Sequence, residues 1–196
     1  MKTISITDHW LQVNIPIGSE SDSSDIKLDL TDGQLVVAGT GHRPQKLQST
    51  WSQYESLTLP RLTTLAKNAL MQERPVIVIS GMALGWDTAI ALAAIELEIP
   101  LVAAVPCLNH SFKWSQSQQD QWQYICDKAI AVHCPDVPYS AAAMQIRNEW
   151  MCDRANRMLA LWDGSRGGTA NCVKYAKKKG IEVKNLWTSW QKYKGF

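Results

Sequence analysis

Long hydrophobic runs are missing from this 196-residue chain. No apolar stretch approaches the roughly 20 residues of a membrane span, and the opening MKTISITDHW lacks the apolar centre of a signal peptide. The expectation is a cytoplasmic protein with no membrane partner. Cysteine is sparse and oddly placed. Cys107, Cys126, Cys134, Cys152 and Cys172 make five, without CxxC spacing, which reads as reduced thiols and not as zinc ligands or a disulfide framework. No metal is expected. Charge is low at 19%, under the roughly 25% of an ordinary domain. Phenylalanine is nearly absent, two residues against nine tryptophans, so tryptophan must fill much of the aromatic packing.

What is present fits one globular domain, with 45% hydrophobic residues and a length that buries about 70% of the unfolded surface. The formal net charge of +2 hides a gradient. Residues 1–33 hold two lysines against six acids, residues 34–173 are neutral, and the last 23 residues hold seven lysines against Glu182. A basic end suits either nucleic acid or a solvated helix face. Residues 1–33 read as a polar acidic arm, with the linker-like GSESDSSD at 18–25 and a short edge strand in WLQVNIP. Residues 34–196 read as the domain proper.

From Leu35 the pattern alternates. LVVAGT (35–40), PVIVISG (75–81), LVAAVPC (101–107), AIAVHC (129–134), RMLALWD (157–163) and IEVKNLW (181–187) are short apolar runs of the kind buried on both faces of a parallel sheet. Helical patterns lie between them, near 60–73, 86–98, 115–126, 139–156 and 169–179. Strand and helix in alternation predict an α/β fold: an open, doubly wound, mostly parallel sheet of five to six strands with helices on both faces.

Ligands of such sheets bind beyond the carboxyl ends of the strands. Seven of the eleven glycines follow strands: Gly39 and Gly41 in GTGHRP, Gly81 and Gly85 in SGMALGWD, and Gly164, Gly167 and Gly168 in DGSRGGT. These three loops are expected on one rim. Glycine permits close approach to the backbone, and the helix N-termini that follow present unpaired N–H groups suited to phosphate.

The loops resemble those of the SLOG superfamily, the Rossmann-like group named for the SMF/DprA and LOG proteins, and within it the small YpsA-like proteins. The similarity rests on GTGHRP (39–44), SGMALGWDTAIALAAIE (80–96), RNEWMCDRANRMLALWDG (147–164) and GGTANCVKYAKKKGIEV (167–183), in that order, over about residues 34–187. It implies a nucleotide or nucleotide-derived ligand of the AMP, NAD, ADP-ribose or cyclic-nucleotide class, with no cofactor required. Gly39, Thr40, Gly41, His42 and Arg43 would flank it, and Ser80, Gly81, Met82, Ala83 and Gly85 would approach it with backbone groups. Asp163, Gly164, Gly167, Gly168 and Thr169 would hold phosphate, while Arg147 and Asn148 match the family's RN pair. Asp87 would orient a hydroxyl or simply serve the helix N-terminus.

The resemblance also implies homo-oligomers, and roles for some relatives in nucleotide-signalled conflict between bacteria and phages. Its LOG branch cleaves a base from a nucleoside monophosphate through a Glu in GGxGTxxE. Aligned on Thr169, that position here is Cys172, which leaves Glu149 or Asp87 as candidate carboxylates. Its DprA branch binds single-stranded DNA, a further alternative. Trp86 and Trp114 are candidate base-stacking residues. Cys107 and Cys134, with His110 and His133 nearby in sequence, read as nucleophile candidates or inert packing residues.

Overall fold

A computed structural model describes residues 2–4, 28–30, 34–47, 53–135 and 137–193. Two short strands, β1 (Lys2–Ile4) and β2 (Leu28–Leu30), pair antiparallel as a sheet of their own. The linker-like 18–25 stretch and the edge strand expected in WLQVNIP fall outside the described residues.

The main sheet has six strands: β3 (Val36–Gly41), β4 (Ile77–Ser80), β5 (Leu101–Ala104), β6 (Ala131–His133), β7 (Arg157–Leu161) and β8 (Glu182–Asn185). All neighbours pair parallel, in the order β6-β5-β4-β3-β7-β8. The chain steps outward from β3 to β6, then returns to lay β7 against the free side of β3. Chain direction across the sheet therefore reverses between β3 and β7, the switch point at which doubly wound sheets open a crevice.

Alternate residues of each strand enter different cores. Val37, Val78, Ala103 and Leu159 pack beneath α1 (Leu59–Glu73), α2 (Trp86–Glu96) and α3 (Gln116–Lys128). Val36, Ala38, Ile79, Val102 and Met158 pack beneath α4 (Ala141–Arg154) and α5 (Gly168–Lys178). The two clusters are the two layers of a Rossmann-like sandwich. Helix α2 is buried along nearly its whole length because its Ala-Ile-Leu composition presents no polar face.

Helix boundaries have local causes. Ser115 and Gln118 form a reciprocal capping box on α3, and the Ser140 hydroxyl accepts from the Ala143 N–H at the start of α4. Besides β1 and β2, three short elements are not anticipated by the sequence pattern: a 3-10 turn at Pro44–Leu47, a π turn at Tyr54–Thr58 leading into α1, and a final helix α6 (Trp187–Lys192). The last strand accordingly stops at Asn185, where the Asn185 carboxamide accepts from the Trp187 N–H and starts the helix. Among the described residues no helix is long and apolar enough to cross a membrane.

Candidate functional site

The loops after β3, β4 and β7 meet at the carboxyl rim. Gly85 begins α2 at φ +104°, a conformation that favours glycine, and a Cβ there would lie 2.3 Å from the His42 carbonyl oxygen. Its N–H donates to the Tyr54 hydroxyl at 2.8 Å, and burial pushes that phenol up to about 12. Ser80 donates to the Asp87 carbonyl at 2.7 Å and accepts from the Met82 N–H at 3.1 Å, closing the β4 loop on itself. The Trp86 N–H meets the His42 carbonyl at 3.3 Å, and the Thr169 hydroxyl donates to the Gly41 carbonyl at 3.0 Å. The three loops are one bonded unit.

A cavity of about 400 Å³ opens between β3 and β7 at the switch point. Its β3 wall is Thr40, Gly41, His42 and Arg43, continued by Gln45 and Lys46 of the 3-10 turn. The opposite wall is Ser165, Arg166, Gly167, Gly168 and Thr169, where α5 begins. Met144, Arg147 and Asn148 of α4, with Ala83 and Asp87, form the base. Lys46 crosses the gap, its ammonium donating to the Ser165 hydroxyl and to the Arg166 carbonyl at 3.2 Å.

At the base lies a buried charge pair. Arg147 and Asp87 are 5% and 6% exposed, with Nη1 and Oδ2 3.6 Å apart, too long for a hydrogen bond. Arg147 Nε and Nη1 and Asp87 Oδ1 are buried without a hydrogen-bond partner among the described residues. Burial pushes the Asp87 carboxyl up to about 6, against the opposing pull of Arg147, and burial lowers the Arg147 guanidinium. Arg43, Lys46, Arg147 and Arg166 against the single carboxylate of Asp87 make this lining cationic. The first turn of α5 adds backbone N–H groups and the positive end of its dipole. The lining is chemically suited to an anion.

The structure gathers most of the expected residues and sets others beneath or beside the cavity. Gly39, Ser80, Gly81, Met82 and Gly85 do not line it. Gly39 packs on Ile90, and the β4-loop residues form the support under the Arg147–Asp87 pair and the start of α2. Asp163 and Gly164 also stand outside the lining. Asp163 instead accepts from the Ser165 N–H at 2.8 Å and meets His42 Nε2 at 2.7 Å; hydrogen bonds from Ser165, then His42, hold its carboxyl below the usual range. Glu149 is off the cavity as well, its carboxylate accepting from Gln145 one helical turn away. Position 149 points away because 147 and 148 already occupy the inward face of α4.

Trp86 is core, not a stacking surface: it is fully buried and its indole N–H donates to the Leu159 carbonyl at 3.0 Å. Cys107 and Cys134 are buried strand-end residues. The Cys134 thiol reaches the Pro135 carbonyl, and burial raises the Cys107 thiol, as suits packing residues. Cys172 lies fully buried under the site, its sulfur 3.9 Å from that of Cys152. It packs the α4–α5 layer and lines no part of the cavity.

Gln45, Lys46, Met144, Ser165 and Arg166 line the cavity although sequence reasoning does not single them out. For Ser165 and Arg166 a signal exists, since they lie between Gly164 and Gly167 in the same loop. Gln45 and Lys46 follow Pro44, whose turn brings them back over the rim.

Comparison with known proteins agrees with this architecture. A prophage-derived protein of unassigned function, YoqJ of Bacillus subtilis, is 30% identical over 135 residues, covering 60% of this chain and 79% of the relative. DNA processing protein A from Helicobacter pylori, described for its single-stranded DNA binding mode, superposes with a TM-score of 0.56 at 19% identity. That match covers 77% of this chain and 64% of the other. The Streptococcus pneumoniae protein of the same name gives 0.53 at 17% identity, over 78% of this chain and 50% of its own length. The chain thus spans half to two-thirds of these two proteins, and at such identities the likeness is one of fold. The family profile for DNA recombination-mediator protein A matches residues 56–194, from the turn that leads into α1 to beyond α6. With that profile running through most of the sheet and both helical layers, the chain belongs to the DNA recombination-mediator protein A family, the DprA/SMF side of the SLOG superfamily.

Proposed function

We propose that this domain binds a nucleotide or nucleotide-derived small molecule, with phosphate seated between Arg147, the start of α5 and the Arg43–Lys46 turn. The observation that carries the reading is the buried Arg147 guanidinium, two of whose nitrogens have no hydrogen-bond partner among the described residues, and which lines a cationic cavity at the switch point. Leaving a buried donor unsatisfied costs about 1–3 kcal/mol, more for a charged group, and an incoming phosphate would relieve that cost. The β3 and β7 loops supply the backbone surface such a ligand needs. A prophage-derived relative fits a role in sensing or sequestering nucleotides, and five buried thiols without disulfides suit the reducing cytoplasm.

A thermal-shift panel of AMP, NAD, ADP-ribose and cyclic nucleotides tests the reading. A true ligand at 100 times its Kd stabilises by about 2.7 kcal/mol. No shift with any member, and no nucleotide co-purifying by mass spectrometry, overturns it.

Single-stranded DNA is the second reading, favoured by family membership and by exposed Arg43, Lys46 and Arg166 around the mouth. Backbone phosphates of a strand would track these cations, and retention of an oligonucleotide would fall steeply with salt. A base-releasing hydrolase has less support. Asp87 is the single carboxylate in the lining, and it is engaged with Arg147.

A further inference from the structure

A second cavity, of about 560 Å³, adjoins the first. The two share Arg43 and Gln45, so the ridge between them is one short turn. Together they approach the upper end of the roughly 300–1,000 Å³ that small-molecule sites occupy. The chemistry of the second cavity differs from that of the first. Trp114 and Leu84 give it apolar wall, and Glu55 and Ser117 give it a polar corner, where the Ser117 hydroxyl donates to Glu55 Oε1 at 3.0 Å.

Trp114 is held in place from behind. The His110 ring stands edge-on to it, centroids 5.0 Å apart. His110 is in turn fixed by its Nε2, 3.2 Å from the Met82 carbonyl, and burial keeps the imidazole neutral by lowering it to about 3. Met82 belongs to the β4 loop that packs, through Gly81, against the Arg147–Asp87 pair, so one segment supports the Trp114 wall and the base of the first cavity. An aromatic wall beside a carboxylate suits a base together with the hydroxyls of its sugar.

The geometry points to a ligand of dinucleotide length, its phosphates in the first cavity and a second nucleoside-type group against Trp114 and Glu55 in the second. This rests on the phosphate-binding reading of the first cavity. Arg43, exposed on the shared ridge, stands where the diphosphate of such a molecule would pass from one cavity to the other.

Calorimetric titration of the whole chain with AMP, ADP-ribose and NAD tests the inference. ADP-ribose or NAD is expected to bind at least tenfold more tightly than AMP. Trp114→Ala should remove that advantage and leave AMP affinity within twofold, while Trp114→Phe, which keeps a ring, should retain most of it. If AMP binds and neither longer molecule binds more tightly, the inference is overturned and the phosphate-binding reading stands. It is overturned equally if Trp114→Ala and Trp114→Phe, both folded by circular dichroism, leave the longer ligands unaffected. If none of the three binds at about 1 mM, where even a weak site of about −4 kcal/mol is half filled, the reading of the first cavity fails and the inference falls with it.

Discussion

Gly81 lies against Arg147 so closely that a Cβ at residue 81 would stand 2.1 Å from the guanidinium Nη1 and 2.6 Å from Asp87 Oδ2. The charge pair occupies the space that a side chain at position 81 would fill. Gly81→Ala must therefore shift either the backbone of the β4 loop or the pair itself. A loss of about 1–3 kcal/mol is expected, the usual cost of forcing extra volume into a packed site. Urea denaturation measures it, and nucleotide-induced stabilisation should fall in the same variant. A Gly81→Ala protein as stable and as responsive as the wild type would refute this role for the glycine.

Removing one member of the pair leaves the other buried and uncompensated. Arg147→Met is expected to cost about 3–5 kcal/mol at neutral pH. The double variant Arg147→Met, Asp87→Leu should recover part of that loss, because no buried charge remains. A double-mutant cycle by chemical denaturation reads the coupling. Additive losses would mean that the two side chains do not act on each other.

Acid titration separates two carboxylates with opposite shifts. Asp87 keeps its proton up to about 6 in the folded protein, whereas an unfolded aspartate releases it near pH 4. The folded state therefore binds the extra proton between these values, and this group's contribution to stability falls as pH rises from about 4 to about 6. Asp163 is shifted down, so its contribution is present above about pH 4 and is lost as pH falls below that value. Wild-type stability minus that of Asp87→Asn, measured from pH 4 to 7, should decline across the first window and then level off. A flat difference would show that Asp87 does not titrate there.

Glu149→Ala should change little. Its carboxylate bonds Gln145 on the same helix and faces away from the cavity, so stability should stay within about 0.5 kcal/mol and nucleotide affinity should be unchanged. A large loss of affinity would return Glu149 to the site.

Thiol titration gives a direct check on packing. All five cysteines are buried, including the Cys152–Cys172 contact between α4 and α5. An aromatic disulfide reagent should label none of them in the folded protein over minutes and all five in denaturant. Rapid labelling of Cys172 in the native state would contradict its place in the core.

The βα order is legible because β3, β4, β5 and β7 are short, apolar on both faces and followed by a helical period. Glycines mark the rim for the same local reason, although Gly39 and Gly41 belong to the end of β3 itself and only those after β4 and β7 lie beyond their strands. Which face of α4 turns inward is less plain, since Arg147 and Asn148 are polar residues in a helix whose outer face is also polar. Sequence periodicity alone treats Arg147 and Arg154 alike, yet the sheet places the first under the cavity and leaves the second over the Trp150 ring. Trp86 misleads for a related reason. It opens α2 beside the rim loops, but the buried start of that helix turns its indole into the layer beneath. Lys46 has no readable place in the sequence, because its position depends on a turn after Pro44 that has no periodic signature.

Asp87 and Arg147 come from helices on opposite faces of the sheet, and they meet past the ends of the strands. The two apolar clusters are separated by the sheet, and at this rim a charge pair links the two layers. The protein consequently has a seam whose strength varies with the protonation of Asp87. On the proposed reading, a bound phosphate would act as a clasp across that joint.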